Sequence, residues 1–257
     1  MNTIISVLLL FTYNSLHKDI YYLISKYILE HLDEVENMSI GKLAVDCGTS
    51  TATINKFCNL IGVDSFKGFK SLLMNTRVGR LNQIKERYQQ FNEEILFSQI
   101  QHLSQNVIEK EIFLNKIDEL VKLIHNSQQI YLLGAIYPLA LSLNFVEDMK
   151  IFKKDISLEQ IGFMSSNNNY QKDDLILFIT INGRIITHNR QGFLRLYESP
   201  AKKVVISQNR IFEDFHDLDD FIKLEDNNDN EVENIIIIEI LNLIKYKYYT
   251  KYINNYH

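Results

Sequence analysis

The stretch Ser39-Ile40-Gly41-Lys42-Leu43-Ala44-Val45-Asp46-Cys47-Gly48-Thr49-Ser50-Thr51-Ala52-Thr53-Ile54-Asn55-Lys56-Phe57-Cys58-Asn59-Leu60-Ile61-Gly62 decides how the first third of the chain folds. Ser39 is suited to cap a short helix, because its hydroxyl can accept a backbone N–H left over in the first turn. The apolar face of that helix is Ile40, Leu43, Ala44 and Cys47. Gly48 follows, and a residue without Cβ suits a left-handed turn. Ser50 caps the next helix, which runs to about Leu60, and Gly62 stops it. Two short helices joined by a tight turn containing Gly form a helix-turn-helix unit.

The second helix divides cleanly by face. Ile54, Phe57, Cys58 and Ile61 fall at i, i+3, i+4 and i+7 and make a stripe that must bury. Ala52, Asn55, Lys56 and Asn59 show the same spacing on the opposite side, a small, amide-bearing, basic face with no acid. Amides can pair bidentately with adenine, and Lys can reach guanine or phosphate. Ser50, Thr51 and Thr53 lie at the N-terminal end, the end that recognition helices usually bring to the major groove. Lys67 and Lys70, just beyond, are further candidates for DNA contact. The expected partner is double-stranded operator DNA, bound by a homodimer or higher homo-oligomer.

Charge distribution agrees with that expectation. The net charge is −5, yet residues 51–90 hold seven basic and two acidic side chains, while residues 91–257 hold 17 basic and 24 acidic ones. A basic patch beside an acidic remainder fits a protein that meets phosphate with one face only. Upstream, Ile20, Leu23, Ile24, Tyr27 and Ile28 predict a helix from about Leu16 to His31, and Asp33, Glu34 and Asn37 mark a break after it. The apolar run Ile4–Phe11 is far short of the roughly 20 residues that span a bilayer. No basic region precedes it, so it is read as a helix packed in a domain or dimer core, and a cytoplasmic protein with no membrane partner is expected. Cys47 and Cys58 are read as small core residues on buried helix faces, without the further ligands a metal pair would need.

From Gln129 the pattern changes. Short apolar strands are predicted at Ile130–Leu133, Asp155–Leu158, Leu175–Thr180, Val204–Ser207 and Phe221–Leu224. Helices are predicted at Leu139–Met149 and about Glu231–Tyr252. Buried strands alternating with helices imply a mainly parallel sheet flanked by helices. Three segments are expected: 1–80, an all-α helix-turn-helix domain; 81–128, a helical linker and the start of the next domain; and 129–257, an α/β sensor domain. Ligands of such sheets bind beyond the carboxyl ends of the strands.

The hydrophobic, capping and Gly positions over about residues 16–75, including Phe66-Lys67-Gly68-Phe69-Lys70, resemble in register the N-terminal domain of RpiR-family regulators. That family usually has Arg where this chain has Lys56, so charge is kept but the planar bidentate fork is lost. The order and spacing of the second domain resemble the SIS (sugar isomerase) domain that usually follows. The resemblance implies a phosphosugar-responsive regulator of sugar or aminosugar metabolism genes, with no cofactor and no enzymatic activity.

It also places a ligand site in the loops after the first and third strands, at Gly134, Ala135, Tyr137, Thr180, Asn182, Gly183 and Arg184. Both loops depart from the family pattern. Ile136 and Pro138 stand where the family has Gly and Ser, and Asn182 and Ile185 where it has Ser and Thr. Ligand binding is therefore expected to be weak or altered. Two alternatives follow: a regulator whose SIS-like domain is only a dimerisation scaffold, or a sugar-phosphate isomerase. Catalysis is not expected, because His125, His188 and His216 stand beside no nucleophile or carboxylate constellation. The acidic run Glu213–Asp220 matches no EF-hand spacing and is read as a solvated face.

Overall fold

A computed structural model describes residues 4–15, 17–104, 107–160, 169–225 and 229–254; Leu16, the expected start of the first long helix, lies outside them. The chain divides into two compact units, Met1–Arg87 and Tyr88–His257.

The first unit is helical: α1 (Ile4–Asn14), α2 (Ile20–Glu30), α3 (Leu32–Val35), α4 (Ile40–Asp46), α5 (Thr51–Leu60) and α6 (Phe66–Gln90), whose last turn passes into the second unit. Three helices start where a short polar side chain accepts a backbone N–H of the first turn: Asp19 from Tyr22 at 2.9 Å, Ser39 from Lys42 at 3.1 Å and Ser50 from Thr53 at 3.2 Å. The apolar N-terminal run forms α1 and spends Ile4, Ile5, Leu8 and Leu9 on burial. With Ile24, Ile28, Leu43, Ile54, Phe57, Phe69 and Leu73 they make the core of the unit. The expected break after α2 holds a one-turn helix instead. Leu32 and Val35 bury into the core, and apolar burial there outweighs the turn preference of the intervening acids. Arg77 bridges Asp33 and Glu36, tying α6 to that turn.

The second unit opens with α7 (Glu93–Leu103) and α8 (Lys110–Asn126). Then come β1 (Ile130–Gly134), α9 (Ile136–Leu141), α10 (Leu143–Ile151) and β2 (Ile156–Gln160). β3 (Leu175–Ile179), α11 (Arg184–His188), α12 (Arg190–Tyr197) and β4 (Lys202–Ser207) follow. β5 (Asp220–Lys223), α13 (Asn230–Tyr248) and a π turn (Tyr249–Ile253) end it. All five strands are parallel, in the order β2-β1-β3-β4-β5. The register sets Leu133, Phe178, Val205 and Phe221 side by side on one face, and Leu132, Leu177 and Val204 on the other. The first face packs with Phe193, Leu196 and Phe212.

Two expected helices come out differently. The Leu139–Met149 segment is two helices, broken at Ser142, whose buried hydroxyl donates to the Pro138 carbonyl at 2.7 Å and competes with the backbone ladder. The last helix begins at Asn230 and loosens into a π turn from Tyr249. α13 also buries charge: the Lys245 ammonium reaches Asp148 at 2.9 Å and Asn144 at 2.6 Å, and Lys247 reaches Asp118 at 2.8 Å. Paired and hydrogen-bonded, these groups avoid the cost of an isolated buried charge.

Candidate functional site

In the first unit the turn between α4 and α5 rests on Gly48, whose φ of +62° is the left-handed conformation that a side chain would strain. Ile54, Phe57 and Cys58 are fully buried on one side of α5. Ring contacts of Phe57 with Phe11 at 6.0 Å and Tyr21 at 6.2 Å fix the helix against α1 and α2. That packing leaves Thr51, Ala52, Asn55, Lys56 and Asn59 exposed. Ser50 is exposed too, but its Oγ serves the cap and lies 3.0 Å from the Thr53 hydroxyl, so both hydroxyls are first of all structural. Lys67 is exposed. Lys70 is different: its ammonium donates to the Met38 carbonyl at 3.0 Å and sits 5.7 Å from the Phe66 ring. Arg77, counted above in the basic patch, is likewise consumed by its two carboxylates.

Nearby titratable groups are structural. Tyr27 donates its hydroxyl proton to Asp46 at 2.7 Å. That bond, and then burial and the Asp46 charge, push the phenol up to about 12. Lys42 and then Tyr27 hold the Asp46 carboxyl below its ordinary value. Cys58 is buried in α5, whereas Cys47 is only half-buried, because it is the C-cap of α4 and stands outside the helix's buried face. Burial raises both thiols to about 11, so neither offers a thiolate at neutral pH. Among the described residues no group of three or more His, Cys, Asp or Glu could hold a metal ion.

In the second unit β1 and β3 are neighbours, and the strand order reverses between them. Their carboxyl ends, Gly134 and Ile179, are register partners, so the two predicted loops leave the sheet side by side at a topological switch point. A Cβ at Gly134 would come 2.4 Å from the Ile179 carbonyl oxygen, which explains Gly there. Ala135, Ile136 and Tyr137 are exposed, Tyr137 at 63%, and Pro138 is buried.

The second loop is turned inward. Thr180 is buried, and its hydroxyl oxygen accepts the Gly183 N–H at 3.2 Å. The Asn182 carbonyl accepts from Asn209 Nδ2 at 2.8 Å. The Asn182 side chain accepts from Gln208 Nε2 and donates to Asn230 Oδ1 at 3.3 Å. Gly183, at φ +64°, passes so close to Asn209 that a Cβ would lie 2.7 Å from Nδ2. Arg184 is exposed and makes no ion pair among the described residues. Gln208, Asn209 and Asn230 escaped the sequence reading. The signal for the first two was their place directly after the fourth strand, at the same edge of the sheet; Asn230 arrives only through the fold.

A family model described as a helix-turn-helix domain of the rpiR family matches residues 22–77. An uncharacterized HTH-type transcriptional regulator of Caldanaerobacter subterraneus subsp. tengcongensis is 40% identical over 63 residues; the match takes in 24% of this chain and spans only 21% of that relative's length. Among solved structures, the Vibrio vulnificus NanR protein complexed with ManNAc-6P is similar at 14% identity and a TM-score of 0.44, over 96% of this chain and 92% of that one. The sugar isomerase domain of an RpiR transcription factor from Sphaerobacter thermophilus is similar at 11% identity and a TM-score of 0.46, over 62% and 87%. Among the described residues no helix is long and apolar enough to cross a membrane. What this chain shares with the rpiR family is thus a helix-turn-helix domain match over residues 22–77 of its N-terminal unit.

Proposed function

We propose that the protein is a transcriptional regulator of sugar or aminosugar metabolism genes that reads double-stranded operator DNA through α5. The observation that carries this reading is the exposed, acid-free face of Thr51, Ala52, Asn55, Lys56 and Asn59, set opposite the buried Ile54, Phe57 and Cys58, with Ile61 of the expected stripe only half-buried as the C-cap. Asn55 and Asn59 offer amides to base edges, while Lys56 and Lys67 offer ammonium groups to guanine or phosphate. Ser50 and Thr53 add contacts only through capacity left over from capping, and Lys70 only by leaving Met38. The test is a mobility-shift titration on a duplex selected from a random pool. Asn55→Ala and Lys56→Ala should each weaken binding by about 1–3 kcal/mol for a lost base contact. Unchanged affinity in both would remove α5 from the recognition role. The active species is a homodimer or higher homo-oligomer, with half-sites about one helical turn or a multiple apart. A stable monomer in sedimentation with and without DNA would overturn that part.

The effector site lies in the β1–β3 crevice, at Gly134, Ala135, Tyr137, Thr180, Asn182, Gly183 and Arg184, and its affinity for a phosphosugar is weak. Thr180 and Asn182 already serve the loop, and the helices that follow the two loops, α9 and α11, have only 6 and 5 residues. So few aligned peptide units give a small dipole. The same observation favours a second reading, in which the α/β unit is a dimerisation scaffold without a ligand. Calorimetry with hexose and aminosugar phosphates separates the two: weak heats support the first reading, and none the second. Submicromolar binding of a phosphosugar would refute both. Isomerase assays on the same compounds should stay at the buffer rate, since the protein acts as a regulator and not as an enzyme.

A further inference from the structure

The exposed residues of α5 are Thr51, Ala52, Asn55, Lys56, Asn59 and Leu60. Successive residues of a helix turn by about 100° and rise by about 1.5 Å. Ala52 and Asn59 therefore lie on the midline of the exposed arc. Asn55 stands about 60° to one side and Lys56 about 40° to the other, with Thr51 and Leu60 at the edges. A recognition helix enters the major groove by its N-terminal end. Of the two midline residues Ala52 is at that end, in the second position of the helix. It is the residue set to meet the base edges most closely, and it offers them only a methyl group.

The nearby hydroxyls of Ser50 and Thr53 are engaged with each other at 3.0 Å in the cap. Among the groups on the floor of the major groove, a methyl group is matched only by the C5-methyl of thymine. Against the polar edge of guanine, cytosine or adenine it would cover a donor or acceptor without pairing it, which costs free energy. Asn55 is the next residue along the face, about 4.5 Å further along the axis, close to one base-pair step of about 3.4 Å. Its amide presents a donor and an acceptor together, the pair that matches N7 and N6 of adenine. The exposed arc holds no carboxylate for cytosine and no guanidinium for guanine. Two neighbouring positions thus ask for thymine and for adenine.

Resting on the recognition role proposed for α5, we infer that the helix reads thymine through the Ala52 methyl group next to an adenine read by Asn55, so that each operator half-site carries adjacent A·T pairs at these contacts. The test uses the full chain and the duplex selected from the random pool. Thymines of one half-site are replaced one at a time by deoxyuridine, which lacks the methyl group, and adenines by 7-deazaadenine, which lacks the N7 acceptor. Deoxyuridine at one position should weaken binding about fourfold, the worth of one buried methyl group. At a neighbouring base pair 7-deazaadenine should weaken it about tenfold. The deoxyuridine effect should vanish in Ala52→Gly, and the 7-deazaadenine effect in Asn55→Ala. Each effect is a ratio within one protein, so a general loss of helix stability in Ala52→Gly cancels. Deoxyuridine silent at every position, a deoxyuridine effect undiminished in Ala52→Gly, or sensitive positions that are not neighbours would each overturn the inference. The recognition role of α5 survives those outcomes as long as Asn55→Ala and Lys56→Ala weaken binding; if neither does, or if no duplex is selected, both fall. If Ala52→Gly does not fold, the deoxyuridine scan on the unsubstituted chain decides the matter.

Discussion

The polar face of α5 and the polar loop after β3 are built from similar residues, amides and hydroxyls beside one cation, but they are spent differently. On α5 the buried stripe of Ile54, Phe57 and Cys58 holds the helix, so Asn55, Lys56 and Asn59 stay exposed. In the loop there is no helix to hold the chain, and Thr180, Asn182, Gln208 and Asn209 hold it themselves. The contrast teaches that a polar residue is available to a partner only when something else does the folding. Regular helix with an apolar side leaves its polar side exposed; a tight turn consumes its own.

This contrast is broken or sharpened by substitutions in each region, read for stability. The largest effect is expected at Gly134. A methyl group there meets the Ile179 carbonyl oxygen at 2.4 Å, backbone that cannot yield cheaply. Gly134→Ala should lose about 1–3 kcal/mol of unfolding free energy, as overpacking does. An unaltered denaturation midpoint would mean that the two strand ends are not in close contact.

Next in size are the loop's own hydrogen bonds. Thr180→Val removes the acceptor of the buried Gly183 N–H, and a loss of about 1–3 kcal/mol is expected for an orphaned buried donor. Asn55→Ala and Lys56→Ala, by contrast, should change stability by no more than about 0.5 kcal/mol, because exposed positions away from caps and core rarely do more. Equal destabilisation in the two regions, followed by urea unfolding, would erase the distinction drawn here.

The smallest effect concerns pH. Tyr27 is raised to about 12 in the folded chain, chiefly by its hydrogen bond to Asp46. The folded state therefore holds that proton more tightly than the unfolded state does. Its stabilising contribution is present below the ordinary tyrosine range, near pH 10, and is lost as pH rises toward about 12. Tyr27→Phe should flatten this part of the alkaline decline in thermal midpoint. A decline of the same slope in the variant would show that other groups cause it.

Much of this was legible along the chain because it rests on local physics. The Ser39 and Ser50 caps, the left-handed Gly48 and the two faces of α5 depend on neighbours within a few residues, and periodicity reports them directly. The central strands β1, β3 and β4 were readable for the same reason, as short apolar runs buried on both faces, whereas the edge strands β2 and β5 stay half-exposed.

The tertiary structure decided what those groups are left to do. Lys70 and Arg77 read as basic surface in the sequence, but Met38, Asp33 and Glu36, brought from 32 to 44 residues away, take their charges. Cys47 shares the spacing of a buried face yet ends its helix half-buried. The segment after Pro138 has helical periodicity throughout, but buried Ser142 divides it. Asn230 joins Asn182 across 48 residues, and the register that pairs Lys203 with Ile176 leaves its ammonium on the Ala201 carbonyl. Spacing along a chain states which groups share a face. Which of them a distant residue will satisfy, and which remain for a partner, is settled only when sheet order and helix packing bring remote segments within hydrogen-bonding distance.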